Sequence, residues 1–300
     1  MSKFISEGKE NARSKLIKAV SQGIDSLQSY EITPNGVFGS EAKIMCGAAT
    51  IKSSELDLEF TVKFDDDMEA NEAEIIIYNL SQTTLAEFKK DREISIEAGY
   101  KGDTGVIFNG YITKVRTKKE NADRITTVKC FDDIKDHTIT EITYSAGTKA
   151  SKILRDLLEK TGTPIEVFQM RRDHTYENEV KVDGDLMQNI KKYSEVCGVS
   201  TYVRNGRIIS RHIKVGDNIY FTLSEETGLI GSPEEFEEEQ TAEDYKEVIN
   251  GYECECLLQH RFSAGGIVSL KSLFANGEFR ICSGEHSFSP DECISKIKMY

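Results

Sequence analysis

Between Glu55 and Phe64 the chain alternates without a break: Leu56, Leu58, Phe60, Val62 and Phe64 are apolar, and Glu55, Asp57, Glu59, Thr61 and Lys63 are polar. A period of two puts every apolar side chain on one face, so the stretch is a strand with one side in a core and the other in water. Such a strand is stable only beside others, which makes a multi-stranded sheet the minimum fold. The acidic turn Asp65-Asp66-Asp67 ends it. The isoleucine-rich run Ala73 to Tyr78 supplies a second strand, closed by Asn79-Leu80-Ser81. From Ser81 the period changes, because Leu85 and Phe88 share a helical face and the serine hydroxyl suits an N-cap. Strand signals resume at Glu93 to Ala98, Val106 to Val115 and Arg124 to Phe131, with Gly99 to Asp103 as a glycine-bounded turn. Glu55 to Asp132 is therefore expected to form one antiparallel barrel, begun by residues 41–52.

The texture then alters. Ile153, Leu154, Leu157 and Leu158 repeat at helical spacing, with Thr148 as a candidate cap and Gly162 and Pro164 as the stop. A second helix is expected from Asp185 to Cys197, ended by Gly198, and between the helices Gln169 to Asn178 reads as an exposed polar loop containing Arg171-Arg172-Asp173-His174. Val199 to Arg204 and Arg207 to His212 flank Asn205-Gly206, the strongest short hairpin signal, because both residues tolerate positive φ. Strand candidates return at Phe221 to Leu223, Gly228 to Ser232, Glu247 to Leu258, Ile267 to Ser272, Glu278 to Gly284 and the C-terminal Ser287 to Tyr300, with Asn276-Gly277 as a tight turn. This is the pattern of a second barrel. At the other end, Leu16, Ile17, Val20, Ile24 and Leu27 mark an N-terminal helix, packed on its own domain or serving as an arm to a neighbouring subunit.

Three stretches carry a family resemblance. Ala73 to Ser81, Ala98-Gly99-Tyr100 and Val106 to Ile112 are similar, in order and spacing, to the first barrel of baseplate hub proteins of contractile phage tails, the late control D type among them. Ile153-Leu154-Arg155-Asp156-Leu157-Leu158, Cys197-Gly198-Val199 and Tyr202 to Arg207 resemble the helix, extended segment, helix and hairpin that follow it. Gly251 to His260, the turn Ser263-Ala264-Gly265-Gly266 and Gly284 to Phe288 resemble the closing barrel. The likeness runs over about residues 40–300 and brings no catalytic motif.

Composition bounds the function. Three hundred residues, 38% hydrophobic and 30% charged with four prolines, describe a globular chain of two or three small domains. A net charge of −13 argues against a broad nucleic-acid-binding patch. The excess is local, since Ser224 to Glu247 holds ten acids against the single Lys246. The run Glu234 to Glu239 within it reads as a solvated linker, or as the lining of a channel that repels DNA phosphates. No apolar run has the length of a membrane span, and Met1 to Gly8 lacks a signal-peptide core, so a cytoplasmic site of synthesis is expected.

Seven cysteines without framework spacing are expected to be free buried thiols. Cys254, Cys256, His260, Cys282, His286 and Cys293 form the one set with metal-ligating chemistry. Positions 254, 256 and 260 would share a strand face, as would 282 and 286. Zinc takes four such ligands, but Cys-x-Cys is not the usual knuckle and small barrels bury cysteine as a compact apolar residue, so no metal or other cofactor is assigned. His137, His174 and His212 are scattered, and neither Gly-x-Ser-x-Gly nor His-Glu-x-x-His occurs, which leaves no nucleophile with its base. The Gly99 to Gly105 turn lacks the ending of a phosphate loop, and Asp65-Asp66-Asp67 with Glu69 lacks the spacing of a calcium loop.

The expected architecture is mainly β (α+β): an N-terminal helical arm over residues 1–36, a tail-tube-like antiparallel β-barrel over 37–145, a small α/β domain over 146–216 and a second tube-like barrel over 217–300. The resemblance implies a non-enzymatic baseplate hub of a phage tail or headless bacteriocin. It would be a homotrimer offering six barrels to the hexameric tail tube and threefold symmetry to the central spike protein. Its other neighbours would be baseplate and tape-measure proteins, with no specific nucleic-acid binding and no membrane insertion. It would assemble in the bacterial host cytoplasm and end in the particle's baseplate. The competing expectations are a tail-tip module that binds or hydrolyses cell wall, and a tail tube or distal tail protein.

Overall fold

The computed structural model describes residues 39–132, 138–204, 207–216, 220–242 and 245–300. The chain divides between Gly36 and Val37, and every described residue belongs to the second unit. The expected N-terminal helix and the Asn205-Gly206 turn lie outside the described residues.

Strands β1 (Ser40–Cys46), β2 (Ala49–Lys52), β3 (Leu58–Asp65), β4 (Glu72–Tyr78), β5 (Glu93–Tyr100), β6 (Asp103–Glu120) and β7 (Asp123–Phe131) form the first set. The alternating stretch that opens at Glu55 pairs only from Leu58, because the amides of Glu55 and Leu56 turn back onto the Lys52 carbonyl. A short helix α1 (Gln82–Leu85) begins where Ser81 accepts the Thr84 amide at 3.0 Å. The second set is β13 (Tyr220–Leu223), β14 (Leu229–Ala242), β15 (Tyr245–Leu257), β16 (Ile267–Lys271), β17 (Asn276–Phe288) and β18 (Cys293–Met299). Asn276-Gly277 opens β17 rather than making the turn, since Lys271 pairs with Asn276 and residues 272–275 form the loop.

The two sets are one sheet of 13 strands, joined where β17 pairs with β3 from Phe288–Phe60 to Ser283–Asp65. Among the described residues the path runs from β14 to β2 and no pairing closes it. β17 changes partner along its length. Its first half pairs with β16, a bulge falls at Cys282, and its second half pairs with β3.

Connectivity is repeated between the sets. β7 lies between β4 and β6, the second strands of the hairpins β3–β4 and β5–β6. β18 lies in the same way between β15 and β17, the second strands of β14–β15 and β16–β17. A preceding strand flanks the second hairpin in each set: β1 on β5, antiparallel, and β13 on β16, parallel. A sequence echo accompanies this. Asn109-Gly110-Tyr111 and Asn250-Gly251-Tyr252 each place tyrosine opposite the last residue of the inserted strand, Phe131 and Met299. Each glycine is roofed by a phenylalanine ring, that of Phe108 or Phe236.

Between the sets sits the α/β unit. Helix α2 (Ala150–Lys160) buries Ile153, Leu154, Leu157 and Leu158 against α3 (Leu186–Cys197), and both pack with β8 (Thr138–Tyr144), β9 (Ile165–Phe168), β10 (Val180–Asp185), β11 (Ser200–Arg204) and β12 (Arg207–Arg211). Asp185 caps α3 through the Gln188 amide at 2.9 Å, and Gly198 ends it at φ 66°. Thr148 does not cap α2, because its hydroxyl donates to the Ser145 carbonyl. Asp173 supplies the acceptor instead, taking the Ser151 amide at 3.0 Å. The 169–178 segment is accordingly a strap rather than a free loop, and Arg172 donates from it to the Val196 and Glu195 carbonyls at the end of α3.

A methyl group at Gly110 would lie 2.4 Å from the Phe131 carbonyl oxygen, and one at Gly251 2.3 Å from that of Met299. Gly110→Ala and Gly251→Ala are each expected to lower stability by about 1–3 kcal/mol, the range for overpacking. Urea midpoints should show both losses, and a shift in only one would remove the equivalence of the two positions.

Candidate assembly surfaces and the interdomain lock

The metal-type residues are dispersed into separate environments. Cys254 and Cys256 share the inner face of β15 and belong to the apolar core of the second set, while Cys293 belongs to that of the first. Burial raises the thiols of Cys254, Cys282 and Cys293 to about 12, and that of Cys256 higher still. Cys282 occupies the β17 bulge and donates to the Lys298 carbonyl at 3.2 Å. His260 does not share the β15 face, because β15 ends at Leu257. Its ring lies against Gly105 of β6, beside the Arg261–Asp103 ion pair.

His286 is 1% exposed. Its Nδ1 shares a hydrogen bond with Ser295 Oγ at 2.8 Å, and that hydroxyl also accepts the Gln259 amide at 3.1 Å. Burial holds the imidazole neutral, its pKa down at about 4. Among the described residues no group of three or more His, Cys, Asp or Glu side chains is placed to hold a metal ion.

The other histidines stay apart: His174 stands edge-on to Tyr176, His212 accepts the Lys214 amide, and His137 lies outside the described residues. The acidic turn after β3 has its carboxylates occupied by its own amides and by cations. Asp65 accepts the Asp67 amide, Asp67 accepts that of Glu69, and Lys191 of α3 reaches Asp67 at 2.8 Å.

Asp66 makes the central contact. It pairs with Arg280 of β17, which is 1% exposed. Arg280 also donates to Ser200 Oγ at 3.1 Å and lies 5.2 Å from the centre of the Tyr202 ring, and Ser200 in turn donates to the Asp66 carbonyl. One guanidinium thus ties the β3–β4 turn, the α/β unit and the second strand set. At the other end of the β3–β17 seam, Tyr100 donates to the Cys293 carbonyl at 2.7 Å, and Arg261 binds both oxygens of Asp103 at 2.6 and 2.8 Å.

The acidic run is not a linker. Glu234 to Glu239 lies within β14, paired residue by residue with β15, and its alternation splits the charges between two faces. Glu238 turns toward Lys298 and the Tyr300 hydroxyl. Glu235, Glu237 and Glu239 lie on the other face, near Val248, whose exposure is 53%. A second long hairpin, β6–β7, carries the opposite sign: Lys114, Arg116 and Lys118 alternate along one exposed face of β6. The most exposed large apolar side chains among the described residues are Leu273 and Phe274, at the β16–β17 turn.

This is a molecule built of strand edges, charged arms and an internal lock. The baseplate hub gp41 family model matches it over residues 45–288. The chain belongs to the baseplate hub gp41 family. No curated protein matches it. Among solved structures, this hub-family chain is similar to a tail protein from Neisseria meningitidis MC58, at 9% identity and a TM-score of 0.55 over 87% of this chain and 96% of that one. It is also similar to the 43 kDa tail protein of prophage MuSo2 from Shewanella oneidensis, at 9% identity and 0.55 over 87% and 98%. A third likeness is to an Escherichia coli type VI secretion component that is itself described as similar to the T4 tail proteins gp27 and gp5, at 10% identity and 0.56 over 81% and 73%. At such identities the likeness is one of fold. The family makes the chain a baseplate hub protein, and the likeness gives it the fold of these tail and type VI proteins. No helix among the described residues is long and apolar enough to cross a membrane.

Two outcomes follow from these environments. Arg280→Met strands Asp66 in a partly buried site, and the loss is expected to be about 3 kcal/mol, the low end for breaking a buried pair. A double-mutant cycle with Asp66→Asn should return a coupling of the same sign, and additive losses would show that the pair does not act as the lock. His286 binds its proton far more weakly folded than unfolded, so the folded chain is expected to lose stability as pH falls from about 6.5 toward about 4. Urea melts of His286→Gln should lack this component of the acid slope, and an unchanged slope would place the titration elsewhere.

Proposed function

We propose that the chain is the hub of a contractile injection machine, a homotrimer that joins a hexameric tail tube to a trimeric spike. The observation that carries this reading is the repeated connectivity of the two strand sets. A chain with two like-connected sets offers six in a trimer, which is what a sixfold tube face requires, while three copies of the α/β unit keep threefold symmetry for the spike. In this reading residues 37–145 and 217–300 are the two tube-like barrels, completed by neighbouring strands, with 146–216 between them and 1–36 as an arm. The continuous β3–β17 seam fixes the angle between the two sets within one chain, as a symmetry adaptor needs. The work is positional, and the partners are the tube, the spike and the adjoining baseplate and tape-measure proteins.

Light scattering on the purified chain, alone and co-expressed with the tube and spike proteins, tests the proposal. Three chain masses, alone or upon addition of the spike, are expected. Six would favour a tube protein, and one chain mass under every condition would end the hub reading.

A further inference from the structure

Two arms of this chain extend beyond the sheet that supports them. β6 pairs with β5 as far as Tyr111, and Ile112 exchanges backbone hydrogen bonds with Asp91 and Arg92, so from Thr113 to Glu120 its edge away from β7 has no partner among the described residues. Among the described residues β14 pairs with β15 alone, so its other edge carries no strand, and before Tyr252 β15 pairs with nothing but β14. Unpaired strand edges of this length invite another strand, and proteins that keep them either guard them or use them.

The charges on the two arms separate guarding from use. Residues 113–129 contain Lys114, Arg116, Lys118, Lys119, Arg124 and Lys129 against Glu120 and Asp123, whereas residues 234–239 contain five glutamates and no cation. A guard needs only one sign, and opposite signs on two open edges of one chain repel like edges while attracting unlike ones. The spacing also agrees. Lys114, Arg116 and Lys118 alternate along β6 as Glu235, Glu237 and Glu239 do along β14, so both combs repeat every two residues, about 6.7 Å at the rise of a strand. Neutralisation within the chain is incomplete. Lys118 meets Glu120, Lys129 meets Glu72 and Glu74, Glu239 meets Lys246, and Glu235 receives the Tyr252 hydroxyl. Lys114, Arg116 and Glu237 have no ion-pair partner among the described residues. Val248 adds an exposed apolar contact on the acidic face.

We propose that the acidic β14–β15 arm of one copy receives the basic β6–β7 arm of the next copy, through a ladder of Glu235, Glu237 and Glu239 against Lys114, Arg116 and Lys118. This rests on the trimer reading and adds the contact that builds it. Because the two surfaces differ, the contact is head-to-tail, and a head-to-tail contact closes into a ring where a self-complementary one stops at a dimer. Screening weakens it, so the ring loosens as salt is added.

Charge reversal in the full-length chain tests the pairing, under whichever condition assembles the wild type. K114E/R116E/K118E gives a chain acidic on both arms, and E235K/E237K/E239K one basic on both. Each is expected to raise the dissociation constant of the trimer by roughly a hundredfold in sedimentation, as like charges brought together cost affinity, with thermal melts near wild type. The chain carrying all six changes restores opposite signs at every contact and is expected to reassemble as trimers. Trimers that persist in both triple variants would overturn the pairing and leave the hub reading standing, as expected of an acidic arm that lines a channel. Loss of trimers in both with no recovery in the six-fold variant would also overturn it. A wild type that stays monomeric with tube and spike present would remove the trimer reading and the arm contact together.

Discussion

The arrangement of this molecule depends on one buried cation. Arg280 cannot shed its proton at any ordinary pH, so a folded state that buries it must supply its counter-charge from within the chain. Asp66 supplies it from a turn more than two hundred residues away, and Ser200 and Tyr202 supply a hydroxyl and a ring face from a third region. An apolar contact at the same point would tolerate sliding, whereas a guanidinium with these partners accepts few geometries. The lock thus sets the direction of the α/β unit against both strand sets.

The β3–β17 seam complements it. Because the sets are joined by backbone pairing rather than by a linker, force applied to one passes to the other through hydrogen bonds loaded together. Each set still has its own apolar core, with Phe60 stacked on Phe288 at 5.4 Å and Phe64 reaching into the second core beside His286. Two cores in one sheet hold the two strand sets in a fixed relation.

The charge pattern follows a related logic. A net −13 spread evenly would be a solubility device, but here the acids are concentrated on one arm and a basic face stands on another. Polarity of this kind gives an assembling subunit a direction, which a uniformly charged surface cannot do.

Much of the local structure was legible in the sequence alone. The alternation through Phe64, the isoleucine run, the Ser81 cap, the apolar stripe of α2 and the stop at Gly198 rest on interactions within a few residues, where period and side-chain chemistry suffice. The mainly β class and the family likeness were legible for the same reason. What only the tertiary structure decided depends on partners far apart in the chain. The acidic run became a strand because β15 pairs with it, against a composition that favours solvated coil. The α2 cap came from Asp173, not from the adjacent Thr148, and His260 left its expected face once β15 ended at Leu257. The metal-type residues were separated by the β17 bulge and by the hydrogen bond between Ser295 and His286. The repeated connectivity, the seam between the sets and the buried Arg280 carry no local signal, because pairing register and the counter-charge of a buried cation are fixed by contacts that spacing along the chain cannot encode.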